Sequence, residues 1–152
     1  MEFIEFLDRV EIEIIRIVEQ AGYSTEENTP LCLLGKNFVG FLKKRQKTIV
    51  ICTNNAKNRE RYKALKIKDN DIFERTALHV KKALRHEAVH VAQECNNGQL
   101  LAIKESLSIN PAKIKALKGS TAISGQREKE IQAYILEDKP RLIKKQLNKY
   151  CL

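Results

Sequence analysis

Tryptophan is absent from this chain, methionine occurs once, and the aromatics amount to 5 phenylalanines and 4 tyrosines. A core must therefore be built from aliphatic side chains. With only 3 prolines and 6 glycines, linker-rich and collagen-like designs are excluded. No apolar run approaches the roughly 18 to 20 residues that a transmembrane helix requires, so no membrane span is expected. The first residues, MEFIEFLDRV, place acids where a signal peptide needs bases, so no secretory or organelle signal is expected. No internal repeat is visible. The 4 cysteines, Cys32, Cys52, Cys95 and Cys151, form no C-x-x-C pair, which argues against a zinc ribbon or a thioredoxin-type site. They are too sparse for a disulfide scaffold, and buried free thiols in a cytosolic protein are favoured over two bridges.

What is present is a chain of 152 residues, 43% hydrophobic and 31% charged, with a net charge of +9. The length suits one domain and the composition a soluble globular one. Charge is unevenly distributed. Residues 1–30 hold 8 acids and 2 bases, and the rest of the chain holds 26 bases and 11 acids. The basic density is greatest from Lys36 to Lys68. Such a surface can attract nucleic acid or an acidic protein, but no nucleic-acid motif accompanies it, and a solvated lysine-rich face is the simpler reading. The acidic N-terminal helix is expected to pack against the basic remainder.

The pattern predicts an α+β domain: an N-terminal helix, a small sheet, and helices to the end. Phe3, Leu7, Val10, Ile14 and Ile17 make one stripe of a helix over residues 2–20, stopped near Gly22. Residues 23–30 read as a polar loop. Three short strands are expected at 31–34, 38–42 and 48–53, the last being TIVICT, with KKRQK as a hairpin tip. A helix begins near Ile72, buries Leu78, Leu84, Val89 and Ala92, and ends at Asn97-Gly98. Shorter helices are expected near 99–108, 111–118, 126–137 and from Pro140 to Tyr150.

Inside the long helix stands His86-Glu87-Ala88-Val89-His90, the pattern H-E-x-x-H. Residues i and i+4 share a helix face, so both imidazoles can bind one Zn²⁺ at about 2.0–2.1 Å. Glu87 lies beside them, placed to act on a water molecule rather than to ligate. Zinc brings the pKa of bound water towards neutrality, so Glu87 is the candidate general base and then acid. The chain has 3 histidines and none follows His90, so a third ligand must be a carboxylate. The downstream acids are Glu94, Glu105, Glu128, Glu130, Glu137 and Asp138. Glu94 is on the same helix face and poorly placed. Glu130 is preferred, because Ala133 one turn on allows close helix packing, and Glu128 is the fallback. His79, two turns before His86, reads as a packing or surface residue.

H-E-x-x-H followed by a helical E-x-x-A, here Glu130 to Ala133, resembles the gluzincin metallopeptidases. More closely, Ile51 to Ala133 resembles the zinc-protease family that processes and assembles mitochondrial ATP synthase. The shared features are Ile51-Cys52-Thr53-Asn54, the helix with His86 and, nine positions on, Cys95, and Glu130-Ile131-Gln132-Ala133. The chain departs from that family in having Gln132 for Arg, and Glu128 and Pro140 where cysteines stand. His-Glu-x-x-His-x-x-Gln, with Gln93, also resembles small bacterial and viral zincin-like domains. The resemblance covers about half the chain and implies a minimal zincin-like fold. It implies His86, His90 and Glu130 as zinc ligands, Glu87 as catalytic acid/base, and a Cys52–Cys95 bridge.

The expectation is therefore a zinc metalloendopeptidase acting on a peptide or protein substrate, cytoplasmic or virion- and assembly-associated. The substrate backbone is expected along strand 48–53. Tyr134 or Tyr62 is a candidate to stabilise an oxyanion. The alternative is a non-enzymatic assembly module with a zincin fold, whose basic surface binds nucleic acid or an acidic partner.

Overall fold

The computed structural model describes residues 1–63, 69–103 and 108–152, without the side chains of 60–63, 69 and 70. The first segment is two elements, not one helix: a 3-10 turn, Glu2–Phe6, and helix α1, Arg9–Gln20. Asp8 causes the break. It sits in extended geometry as the N-cap of α1, and its N–H donates to Glu11 Oε1 at 3.1 Å, one half of a capping box. Phe3, Ile14 and Ile17 of the predicted stripe are buried, while Leu7 and Val10 are only partly covered.

Three strands form one sheet in the order β1-β3-β2. β1 is Ser24–Glu27, β2 is Gly40–Lys43 and β3 is Thr48–Ile51. β3 pairs parallel with β1 and antiparallel with β2. All four residues of β3 are buried, as its apolar β-branched sequence requires of a central strand. β1 falls in the segment expected to be a loop. Its sequence, STEE, has no apolar signal, because an edge strand can be held by backbone pairing alone. Glu27 adds an anchor, accepting hydrogen bonds from the N–H groups of Glu2 and Phe3 and from Thr53 Oγ1.

The strand expected at 31–34 is instead a 3-10 turn, Pro30–Leu34, opened by Pro30. Cys32 turns inward and Leu33 points out, 88% exposed. The Asn55 amide donates to the carbonyls of Cys32, Gly35 and Phe38, and so fixes the approach to β2. Asn55 belongs to helix α2, Thr53–Lys63. That helix has no apolar stripe and was not expected.

Helix α3, Asp69–Cys95, is the backbone of the molecule. Leu84, Val89 and Ala92 are buried as expected, but Leu78 is 46% exposed. The helix starts before Ile72, so Asp71 and Glu74 lie within it rather than at its cap. It ends at Asn97 and Gly98, both with positive φ, which Gly98 adopts without steric penalty. Residues 99–103 carry no helix, and the rest of the helix expected near 99–108 lies largely outside the described residues. Pro111–Lys113 is a 3-10 turn capped by Asn110, followed by α4, Ile114–Ser124, which stops at Gly125. α5, Arg127–Leu136, and α6, Pro140–Cys151, complete the chain. The result is an α+β domain, mostly helical, in which α1, α5, α6 and the sheet pack around α3.

The cysteines correct two expectations. Cys32 is bonded to Cys52, and Cys95 to Cys151, with none left free. There is neither a set of free thiols nor a Cys52–Cys95 bridge. One bridge ties the 3-10 turn to the end of β3, and the other staples the C-terminal ends of α3 and α6. The N-terminal acids do pack against the basic remainder: Glu2 with Lys57, Asp8 with Lys81, Glu11 with Arg85, and Glu13 with Lys144. No described helix is long and apolar enough to cross a membrane.

Candidate metal centre

α3 and α5 bring His86, His90 and Glu130 together in one buried group that can hold a metal ion. His86 Nε2 and His90 Nε2 are 3.3 Å apart. Glu130 Oε1 lies 3.2 Å from the first and 3.1 Å from the second. The three donor atoms form a nearly equilateral triangle. Bonds of about 2.0–2.1 Å at tetrahedral angles require donor atoms about 3.3–3.4 Å apart. The other oxygen, Glu130 Oε2, is buried with no aligned donor, although it stands 2.8 Å from His90 Nε2. A carboxylate with an unsatisfied buried oxygen and two converging ring nitrogens fits a cation.

Local structure explains the convergence. The i, i+4 spacing puts both rings on the face of α3 turned towards α5. The fully buried Ala133, one turn beyond Glu130, lets α5 approach.

Each histidine has a polar neighbour on its far side. Gln93 Nε2 donates to Lys129 O and Gln132 Oε1, so its Oε1 faces His90 Nδ1 at 2.8 Å and accepts from it. A proton on Nδ1 leaves Nε2 with its lone pair aimed at the centre. Gln132, where the resembled family has arginine, in turn accepts from Leu101 N and donates to Leu101 O. Glu137, read in the sequence only as a possible ligand, lies behind His86. Its Oε2 is 3.3 Å from His86 Nδ1, an ion-pair distance without hydrogen-bond alignment. Its Oε1 pairs with Lys113 at 2.8 Å. No short sequence motif announces this role, since Glu137 lies beyond the end of α5.

The other candidate ligands are elsewhere. Glu94 pairs with Lys44 at 3.2 Å. Glu128 is exposed, Asp138 pairs with Lys113, and Glu105 lies outside the described residues. His79 lines the cleft in front of the centre, two turns from His86.

Electrostatics follow from burial and crowding. Burial lowers the pKa of His86, but the carboxylates of Glu130 and Glu137, with Glu87 nearby, outweigh it and raise the value to about 10. Burial raises Glu130, but its contacts with His86 and His90 bring it down to about 2. Glu87 is buried beside the rings, and burial pushes its carboxyl above the usual range despite both histidines. A Cβ on Gly40 would stand 3.2 Å from Glu87 Cγ and 3.2 Å from Ala83 Cβ. Glycine at that position therefore lets β2 lie close against Glu87.

The cleft has a volume of about 560 Å³, with β2 on one side and α4 and α5 on the other. The strand beside the centre is β2, not β3. β3 has a neighbour on both edges and cannot accept another strand, whereas β2 is an edge strand. Tyr134 packs on His86 with ring centroids 4.4 Å apart. Its hydroxyl bonds with Ser120 Oγ at 2.5 Å and donates to Ala116 O at 3.1 Å. Burial and the carboxylates of Glu130, Glu137 and Glu87 push it up to about 12, against the opposing Ser120 bond. That hydroxyl is directed at α4 rather than at an oxyanion. The side chain of Tyr62 lies outside the described residues.

No curated protein and no solved structure matches the chain. A family model matches residues 3–152, and the chain belongs to that family, described as "Domain of unknown function (DUF8637)".

Proposed function

We propose that the chain is a zinc-dependent peptide hydrolase of minimal gluzincin type, with His86, His90 and Glu130 holding the ion and Glu87 as general base and acid. The observation that carries this reading is the triangle of Nε2, Nε2 and Oε1 with sides of 3.3, 3.2 and 3.1 Å. Two nitrogens and one oxygen at this spacing on the wall of a cleft would suit catalytic zinc better than magnesium or calcium, which favour oxygen-rich shells.

Bound zinc would polarise a carbonyl and lower the pKa of water. The protein's own groups do the rest. Gln93 orients the His90 ring, and Glu137 places a negative charge behind His86. Glu87 takes a proton from water and gives it to the leaving amine, a role that a carboxyl raised by burial suits. The edge of β2 holds the substrate backbone in extended form. α3 with its two histidines, the edge strand β2 and the helix that carries Glu130 support this reading. The two disulfides favour an oxidising setting, such as a virion or an extracytoplasmic compartment, over a reducing cytosol.

The test is hydrolysis of an unstructured protein such as casein by zinc-loaded wild type and Glu87→Gln. The reading expects loss of hydrolysis in the variant with metal content and fold retained. A fully active variant would remove Glu87 from the chemistry.

A further inference from the structure

The charge of the cleft is arranged rather than scattered. Its described lining includes three carboxylates, Glu87, Glu130 and Glu137, and all three are at the metal centre. The cationic side chains are Lys44, Arg59, Lys82, Lys113 and Lys129. Lys113 is committed to Glu137 and Asp138. Lys44 and Lys82 pair with Glu94 and Asp138, which lie outside that lining.

Position along α3 separates these cations. β2 runs beside the helix, with Gly40 at Ala83 and Glu87 and Lys44 reaching Glu94 at 3.2 Å. Lys82 stands one turn before His86. Lys82 and Glu94 are therefore about 18 Å apart along the helix, with the His86–His90 pair midway. An extended chain covers that distance in about five or six residues. The present partners hold the end cations loosely: Lys82 is 3.9 Å from Asp138, and both pairs are substantially solvent-exposed. Exposed pairs of this kind are worth little and exchange readily for another carboxylate. The Lys44 end also reaches across to Gln126 at the start of α5, 3.5 Å away.

Building on the peptide-hydrolase reading, we propose that the cleft selects an extended peptide with acidic side chains two or three positions to each side of the bond placed at the metal centre. Lys44 and Lys129 receive the acids at one end, and Lys82 receives those at the other. Backbone pairing to β2 holds the strand without regard to sequence, and the end cations supply the selection. The +9 net charge then draws acidic partners to the surface, and the cleft sets their register.

The test uses two capped, labelled peptides, Glu-Glu-Ala-Leu-Ala-Glu-Glu and its Gln-for-Glu counterpart. Binding is followed by fluorescence anisotropy with the zinc-loaded Glu87→Gln variant of the 152-residue chain. The acidic peptide is expected to bind about tenfold tighter at low ionic strength, with the advantage fading as salt is added. Lys44→Glu and Lys82→Glu, added singly, are each expected to weaken it about fivefold, while the same reversal at exposed Lys145 on α6 changes it less than about twofold. Equal binding of the two peptides, binding of neither, or an equal effect of Lys145→Glu would overturn the proposal. So would a single-stranded oligonucleotide that displaces the peptide at concentrations below the peptide's own. Incubating both peptides with wild type separates the two readings. Acidic peptide bound but uncut would sink the hydrolase and leave the selection standing. Both peptides cut and bound equally would do the reverse.

Discussion

His90 donates its Nδ1 proton to Gln93 Oε1 across 2.8 Å, and this one contact decides which nitrogen of the ring faces Glu130. The direction is fixed because both donors of the Gln93 amide are engaged elsewhere, on Lys129 O and Gln132 Oε1. Gln93 is almost fully buried. Gln93→Leu is therefore expected to lower metal affinity about 10- to 100-fold, the usual cost of losing such a supporting contact. Competition against a calibrated chelator measures it. Unchanged affinity would mean that His90 needs no support.

The carboxylates around His86 favour its protonated form. His86 has its pKa raised from 6.5 to about 10, so near neutrality it is protonated and must lose that proton to ligate. Metal binding at pH 7 is expected to release about one proton, and affinity is expected to rise with pH. Calorimetry in buffers of different ionisation enthalpy reads the proton directly. The same shift links to stability. A folded pKa above the unfolded one stabilises fully below about pH 6.5, and that contribution fades as pH rises through about 10. The chelated protein should lose stability across that window while the metal-loaded protein does not. No proton release would contradict the pairing of His86 with Glu130.

Gly40 gives a test of Glu87 that leaves the ligands untouched. Gly40→Ala places a methyl 3.2 Å from Glu87 Cγ, so the carboxylate has to shift by a few tenths of an ångström. Metal content is expected to be unchanged and hydrolysis to fall about tenfold, since small misplacements of a catalytic group are expensive. Loss of metal together with activity would show that the strand supports the ligands instead.

Glu11 is fully buried and accepts from Arg85 Nε and Nη2 at 3.2 and 2.9 Å. Arg85 immediately precedes His86 and also reaches Glu137 O at 3.4 Å. Arg85→Ala is expected to destabilise by about 3–5 kcal/mol, because it leaves an uncompensated buried charge, and the double variant Glu11→Leu/Arg85→Leu to recover much of that loss. Urea unfolding measures both. A double variant no better than the single would mean that packing, not charge, dominates there.

The bridges offer a size-dependent check. Cys95 and Cys151 are 56 residues apart and Cys32 and Cys52 are 20 apart. Loop-closure entropy gives about 4 and about 3 kcal/mol respectively. Paired Cys→Ser variants should follow that order in denaturant midpoint. An opposite order would place the larger effect in local packing.

Much of this molecule can be read from its residues, for identifiable reasons. β3 is legible because TIVI is apolar and β-branched, and α3 because its motif and its terminating Asn97-Gly98 agree. The grouping of His86 and His90 is legible from helical spacing, and that of Glu130 from the absence of later histidines together with Ala133 one turn on. β1 is not legible, because STEE is held by backbone pairing and by contacts of Glu27 that span over twenty residues. α2 is not, because TNNAKNRERYK has no apolar face. The break at Asp8 was hidden by an apolar stripe that runs on through it. Disulfide partners depend on how the chain returns: Cys95 meets Cys151 only because α6 lies along α3. Glu137 escaped as a supporting group because its role depends on the turn after α5.

The most direct measurement is zinc per chain, by elemental analysis of protein purified without added metal or chelator, with Glu130→Ala alongside. One zinc per wild-type chain, reduced in the variant, is the predicted result. No metal in wild type, even after zinc is supplied near neutral pH, would contradict the three-ligand centre and with it the hydrolase.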